Sequence, residues 1–133
     1  MRWLLAVALL APLALSGCAT PQGVLLAPGA DGRYHIAMTS QLTFDPAEVR
    51  VPVGATVVWH NNATMVHDVA GYRGDPIKDD RTAFSSSREP PEGLGQLMQP
   101  GEEFAYTFAE KGAWTIWCHT HHEEAMKGVV HVV

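Results

Sequence analysis

Residues 117–128, WCHTHHEEAMKG, place several potential metal ligands close together along the chain. Cys118 offers a thiolate, His121 an imidazole and Met126 a thioether. Soft sulfur ligands combined with imidazole are the donors that copper prefers. Met126 has a second interpretation, because methionine often serves only to fill space in a core. The spacing predicts a copper site whose remaining ligand comes from elsewhere in the chain.

The missing ligand is expected to be a second histidine. Two histidines, one cysteine and a weakly bound methionine form a known copper arrangement. His67 suits this role because it follows the polar segment NNATMV and begins a strand-like run, HDVA, at 67–70. A ligand at the end of this strand would hold the metal from a second, distant part of the fold.

Short runs rich in β-branched and aromatic residues must position these ligands. The predicted strands are 34–38, 48–51, 56–60, 67–70, 103–108, 113–117 and 128–133. Turn signals separate them, and no long segment shows a helical period. The pattern predicts an all-β, two-sheet sandwich. Residues 71–101 are rich in Pro, Gly and Ser and stay unassigned, with a short helix or strand possible near 77–85.

The beginning of the chain differs from the rest. An apolar run follows a single positive charge at Arg2 and ends in small residues before Cys18. This pattern is typical of a signal peptide, and we assign it to residues 1–17. The stretch LSGC at 15–18 also resembles the bacterial lipobox, which implies that Cys18 receives lipid.

Lipid on Cys18 has consequences for the remaining chain. Residues 18–33, rich in Pro, Gly and Ala, are predicted to be a lipid-anchored tether, and residues 34–133 the folded domain. The expected location is a bacterial membrane, with the domain facing the periplasm or the cell exterior. Cys118 would then have no disulfide partner, which favours a metal-binding role in an exported protein.

The charge of the chain bears on its partners. The formal net charge is −5, so a nucleic-acid partner is not expected. The acidic pairs 79–80 and 102–103 indicate a solvated face, which can also steer a basic partner. Three further histidines fall within strand patterns and are expected to face solvent: His35, His60 and His131.

Over almost all of residues 34–133 the chain resembles the cupredoxins of the plastocyanin and pseudoazurin type. The resemblance rests on FDPAEVRVPVGATVVWHNN at 44–62, on GAWTIWC at 112–118 and on the final Cys-x2-His-x4-Met spacing. It implies a Greek-key sandwich of about seven to eight strands. It also implies one type 1 copper ion with four ligands: His67, Cys118, His121 and Met126.

The function implied by the resemblance is one-electron transfer, with copper cycling between Cu(II) and Cu(I), and no catalysis. The expected partner is a redox protein such as a cytochrome or an oxidase complex, and the expected state is a monomer. A copper carrier or storage protein is the alternative, since the extra histidines and methionines could pass copper on. A copper oxidase would need a second copper site, and His35, His60 and His131 form no His-x-His pair.

Two positions depart from the family pattern. Asp68 stands where the family often has an asparagine that braces the cysteine loop, and His119 follows the cysteine, where a small or turn residue is usual. A carboxylate near a copper thiolate needs a partner. We therefore predict that Asp68 and a ring nitrogen of His119 are hydrogen-bonded at about 2.7–3.2 Å. His122 is expected to be a supporting or surface residue.

Overall fold

In a computed structural model of the chain, the structure describes residues 23–73, 82–87, 97–121 and 126–133. Within these ranges no helix is long and apolar enough to cross a membrane. The leader, Cys18, the acidic pair 79–80 and His122 lie outside the described residues, so what the sequence predicts for them stays a prediction.

Short strands make up about half of the described chain. They are β1 (Val24–Leu25), β2 (Tyr34–Met38), β3 (Phe44–Asp45), β4 (Glu48–Val51), β5 (Thr56–Asn61), β6 (Ala70–Arg73), β7 (Thr82–Ser85), β8 (Glu103–Thr107), β9 (Gly112–Trp117) and β10 (Lys127–Val132). A 3-10 turn at His119–His121 lies between β9 and β10. The predicted all-β class is confirmed. The strands that the sequence did not assign are β1, β3 and β7, and β7 falls in the region left open at 77–85.

The strands form two sheets. One sheet has the order β1-β4-β10-β9-β6-β7, and the other has the order β3-β2-β5-β8. In the larger sheet β10 pairs in parallel with β4 and antiparallel with β9. Since β9 and β10 are neighbours, the connection that carries Cys118, His121 and Met126 sits at one end of this sheet.

Inward-facing side chains of both sheets share one apolar core. The buried residues are Val49, Val51, Trp114, Ile116, Val130 and Val132 from the larger sheet and Ile36, Met38, Val57 and Trp59 from the smaller. Trp59 lies near the middle, with its ring centroid 5.7 Å from that of Phe84 and 6.4 Å from that of Phe108. Burying side chains of this size stabilises the fold by about 1.5–3 kcal/mol each. This core fixes the strand ends that position the candidate ligands.

One predicted boundary is wrong. The sequence predicted a strand at 67–70, but β6 begins at Ala70. The backbone of His67 pairs instead with Met98, with N–H···O distances of 3.1 and 2.8 Å. The Asp68 side chain is hydrogen-bonded to the loop that follows β9. Residues 67–69 therefore do not continue β6. The local pattern of apolar residues cannot reveal either contact.

Candidate metal centre

Three of the predicted ligands meet in the structure. His67 precedes β6, Cys118 directly follows β9, and His121 ends the 3-10 turn; their ligand atoms lie within 4.8 Å of one another. Cys118 and His67 are buried, and His121 is half-buried. His35, His60 and His131 are not part of this group. The site thus has a dry interior and one histidine at its edge.

The distances within the group fit one metal ion. Two ring nitrogens and a sulfur bound at about 2.0–2.3 Å to one first-row ion lie about 3.0–3.8 Å apart when the angles at the ion are about 100–120°. The measured distances are 3.1 Å between the Nδ1 atoms of His67 and His121, 3.5 Å from Cys118 Sγ to His121 Nδ1, and 3.8 Å from Cys118 Sγ to His67 Nδ1. A thiolate with two imidazoles is a donor set suited to copper.

Met126 closes the loop that carries Cys118 and His121. The Cys118 N–H donates to the Met126 carbonyl at 3.2 Å, and the Met126 N–H donates to the His121 carbonyl at 3.3 Å. The Met126 side chain is fully buried in the core cluster. The Met126 side chain therefore packs in the core, and its role as a weak fourth ligand stays a prediction.

The predicted contact between Asp68 and His119 is confirmed. His119 Nδ1 lies 2.7 Å from Asp68 Oδ2, and the Asp68 side chain is 0% exposed. The other carboxylate oxygen accepts hydrogen bonds from the backbone N–H and hydroxyl of Thr120 at 3.2 and 3.3 Å. The Asp68 N–H also points at Cys118 Sγ, 3.5 Å away. One buried side chain thus joins the His67 segment to the Cys118 loop.

Two supporting residues were missed by the sequence analysis. Buried Asn61 donates from its side-chain amide to the carbonyls of Met65 and Met98 at 2.9 Å each, and its Oδ1 accepts from Ala63 N–H at 3.0 Å. These bonds shape the loop that leads to His67. In addition, the Tyr72 hydroxyl contacts His119 Nε2 at 2.5 Å. The pair NN at 61–62 signals only a turn, and nothing local distinguishes the buried asparagine.

Burial shifts the pKa values of two of the convergent groups, His67 and Cys118. Burial lowers the pKa of His67, and the adjacent His121 adds to this effect. Burial raises the pKa of the Cys118 thiol to about 11. Without metal the thiol therefore keeps its proton at neutral pH, and Sγ donates to Asp68 Oδ1 at 3.3 Å. A neutral imidazole is ready to bind a metal, but the thiol must first lose its proton.

The contact between Asp68 and His119 shifts the pKa values of both groups in the direction that favours the charged pair. Burial alone would raise the pKa of the Asp68 carboxyl, but hydrogen bonds from His119 and Thr120 outweigh it and lower this pKa. The hydrogen bond to Asp68 raises the pKa of His119. A carboxylate beside an imidazolium is the form in which a buried acid is best compensated.

Copper affinity is expected to increase with pH. Between about pH 8 and 9.5, loading should release one proton from Cys118, so the apparent association constant should rise about tenfold per pH unit. Competition with a chelator of known pH dependence measures this slope. An affinity that stays constant over this range would mean that the thiol is already ionised or does not bind the metal.

The family comparisons agree with this geometry. Residues 31–133 match the model of the copper-binding proteins of the plastocyanin/azurin family. The chain belongs to this family, and copper is the cofactor that membership assigns to it. A plastocyanin of Scenedesmus fuscus is 30% identical over 96 residues, which are 72% of this chain and 92% of the relative.

Other relatives and solved structures are consistent with that assignment. A chloroplastic plastocyanin of Fritillaria agrestis is 35% identical over 109 residues, 81% of this chain, and the chain spans 58% of its length. The structure of a reduced amicyanin variant matches with a TM-score of 0.58 at 24% identity, covering 86% of this chain and 95% of that one. A purple cupredoxin of Nitrosopumilus maritimus matches with a TM-score of 0.56 at 19% identity, covering 74% and 98%. These structures share the fold.

Proposed function

We propose that this protein transfers single electrons through one type 1 copper ion held by His67, Cys118, His121 and Met126. The observation that carries the proposal is the convergence of a buried cysteine and two histidines within 4.8 Å. A bound copper ion supplies the Cu(II)/Cu(I) couple. The protein contributes the ligand positions, the exclusion of water and a path for the electron.

Rigid ligands favour this function. His67 is fixed by its bridge to Met98, and Cys118 by the end of β9 and by the Asp68 N–H. Few atoms then need to move when the charge of the metal changes, which keeps electron transfer fast. The apolar core beneath the site and the weak thioether both influence the reduction potential.

The absorption spectrum of the purified protein tests the proposal. Adding one equivalent of Cu(II) should produce an intense visible band, and ascorbate should remove it reversibly. A colourless copper complex would reject a type 1 site. The alternative, a copper carrier or storage protein, predicts rapid loss of copper to a chelator, whereas an electron carrier should keep its metal.

The partner is proposed to be another redox protein, such as a cytochrome or an oxidase complex. His121 supports this because it is half-buried while the other two convergent ligands are buried, so it is the ligand nearest to solvent. An electron can enter or leave along its ring. We propose a monomer with no catalytic residues and no nucleic-acid partner, the last in keeping with the net charge of −5.

We further propose that the protein works outside the cytoplasm, attached to a bacterial membrane by lipid on Cys18. The leader-like residues 1–17 and the LSGC stretch support this. The anchor would hold the copper domain on a tether beside its membrane-bound partners.

Replacing Cys18 with serine should release the protein from membranes into the soluble exported fraction, because the lipid attachment site is lost. Cell fractionation followed by immunoblotting measures the distribution. Ser16→Ala, which leaves Cys18 in place, is the matched control and should stay membrane-bound. If the Cys18→Ser protein remains in the membrane fraction, another anchor holds it.

A further inference from the structure

Two histidines outside the proposed copper centre face each other across neighbouring strands. His35 lies on β2 and His60 on β5, and these strands pair in parallel with His35 opposite Val58. His60 is two residues further along β5, so both rings lie on the same face of the sheet. His35 Nδ1 is 2.7 Å from His60 Nε2. Both side chains are partly exposed, as the sequence predicted, but each ring also contacts the other.

The outer nitrogen of each ring is held by a carboxylate. His35 Nε2 lies 3.0 Å from Asp31 Oδ1, and His60 Nδ1 lies 2.9 Å from Glu103 Oε1. Glu103 is directly opposite His60 in the pairing of β5 with β8. Arg33 holds the other oxygen of Asp31 at 2.7 Å. This pattern is common in metal sites, where a ligating histidine donates its second N–H to a carboxylate.

The positions of the N–H protons on the two rings determine whether a cation can lie between them. A neutral imidazole carries one N–H. If each ring directs that proton at its carboxylate, both nitrogens at the central contact are acceptors. Two acceptors 2.7 Å apart repel unless a positive charge lies between them. An additional proton or a metal ion at the central position removes this repulsion, as does a tautomer in which one ring donates its N–H to the other ring.

We propose that His35 and His60 form a second metal site, selective for Cu(II) among the common divalent ions. Two nitrogens that each lie about 2.0 Å from one ion, with an N–metal–N angle of about 90°, are about 2.8 Å apart. This separation suits the tetragonal geometry of Cu(II). Cu(II) is also the divalent first-row ion that nitrogen ligands bind most strongly. The two side chains are 35% and 25% exposed, so water can complete the coordination.

This site is independent of the sulfur ligands of the first. Its donors are nitrogens, its carboxylates are on the outer side of the rings, and it offers no thiolate. Copper bound there would lack the intense visible band expected at Cys118. The two sites can therefore be distinguished by spectroscopy in one sample.

The test uses protein whose first site already holds one equivalent of Cu(II), which also protects Cys118. A second equivalent should add an axial electron paramagnetic resonance signal with nitrogen splitting and leave the visible band unchanged. His35→Asn and His60→Asn should each remove this signal and weaken the second binding step at least 100-fold, whereas Glu103→Gln should weaken it about 10-fold. An unchanged visible band in each variant shows that the fold is intact.

His131→Asn is the matched control. His131 also pairs with a carboxylate, Glu48, at 2.7 Å, but among the described residues no second histidine is hydrogen-bonded to its ring. The control should keep the second copper signal. The proposal is overturned if no second equivalent binds, if binding survives both the His35 and His60 substitutions, or if His131→Asn abolishes it equally. Should a histidine variant fail to fold, Glu103→Gln, at a 52% exposed side chain, still decides the outcome.

Discussion

Replacing Cys118 with serine is expected to remove the visible band of the copper-loaded protein completely. The band requires a thiolate bound to Cu(II), and a serine hydroxyl stays protonated and is a poor ligand for copper. Copper affinity should fall by more than about 100-fold, since even supporting residues of metal sites contribute 10–100-fold. Visible absorption and a competition assay measure the two effects.

The serine variant should fold, which makes the result interpretable. Its hydroxyl can replace the sulfur in the contacts with Asp68 N–H and Oδ1, at 3.5 and 3.3 Å in the structure. Met98→Leu is the matched control, because Met98 is a buried sulfur residue whose backbone pairs with His67. The control should keep its colour. A blue Cys118→Ser protein would refute the ligand assignment.

Replacing His119 with alanine is expected to destabilise the protein by about 2–3 kcal/mol and to weaken copper binding by about 10–100-fold. Removing one partner of a buried ion pair costs about 3–5 kcal/mol; the smaller figure applies because His119 is 37% exposed. Asp68 would keep its Thr120 contacts but would lose the partner of Oδ2. Denaturant unfolding of the metal-free protein and copper competition measure the two losses.

A second substitution tests whether the loss in His119→Ala arises from the unpaired charge of Asp68 or from the change in side-chain shape. Asp68→Asn in the His119→Ala background should recover most of the loss, because a neutral amide needs no ionic partner and can still accept from Thr120. His131→Ala, which breaks the partly exposed pair with Glu48, should cost only about 0–1 kcal/mol. Equal losses in His119→Ala and His131→Ala would show that the Asp68 pair does not brace the site.

The candidate ligands could be predicted because their chemistry is local. Cys118, His121 and Met126 lie within nine positions, and few metals suit a thiolate, an imidazole and a thioether together. The Asp68–His119 contact followed from placing a carboxylate beside a ligand and looking for its partner. In both cases the residue types themselves limit the possible structures.

The features that were missed depend on contacts between segments far apart in sequence. His35 and His60 meet because β2 and β5 pair in parallel, and a parallel pair requires a crossover connection that leaves no short sequence signal. The backbone bridge between His67 and Met98 is also a contact between distant segments, and because of it β6 begins later than the sequence predicted. Asn61 looks like any turn residue until the loop around it is known.

The position of β10 has a consequence for how the protein acquires its metal. β10 is the last strand along the chain, yet it lies between β4 and β9 inside the larger sheet. It joins residues as distant as Val130 and Val49, and such long-range pairing is slow to form. Cys118 and Met126 flank the connection into this strand, so the pairing of β9 with β10 sets the spacing between them.

Copper capture through both residues therefore depends on the pairing of β9 with β10. Until β10 is in place, Cys118 is an accessible thiol on an unfinished chain in an oxidising compartment, if the protein is exported as proposed. That interval is when the cysteine is most open to irreversible oxidation. Completion of this pairing buries Cys118 and protects the future metal ligand.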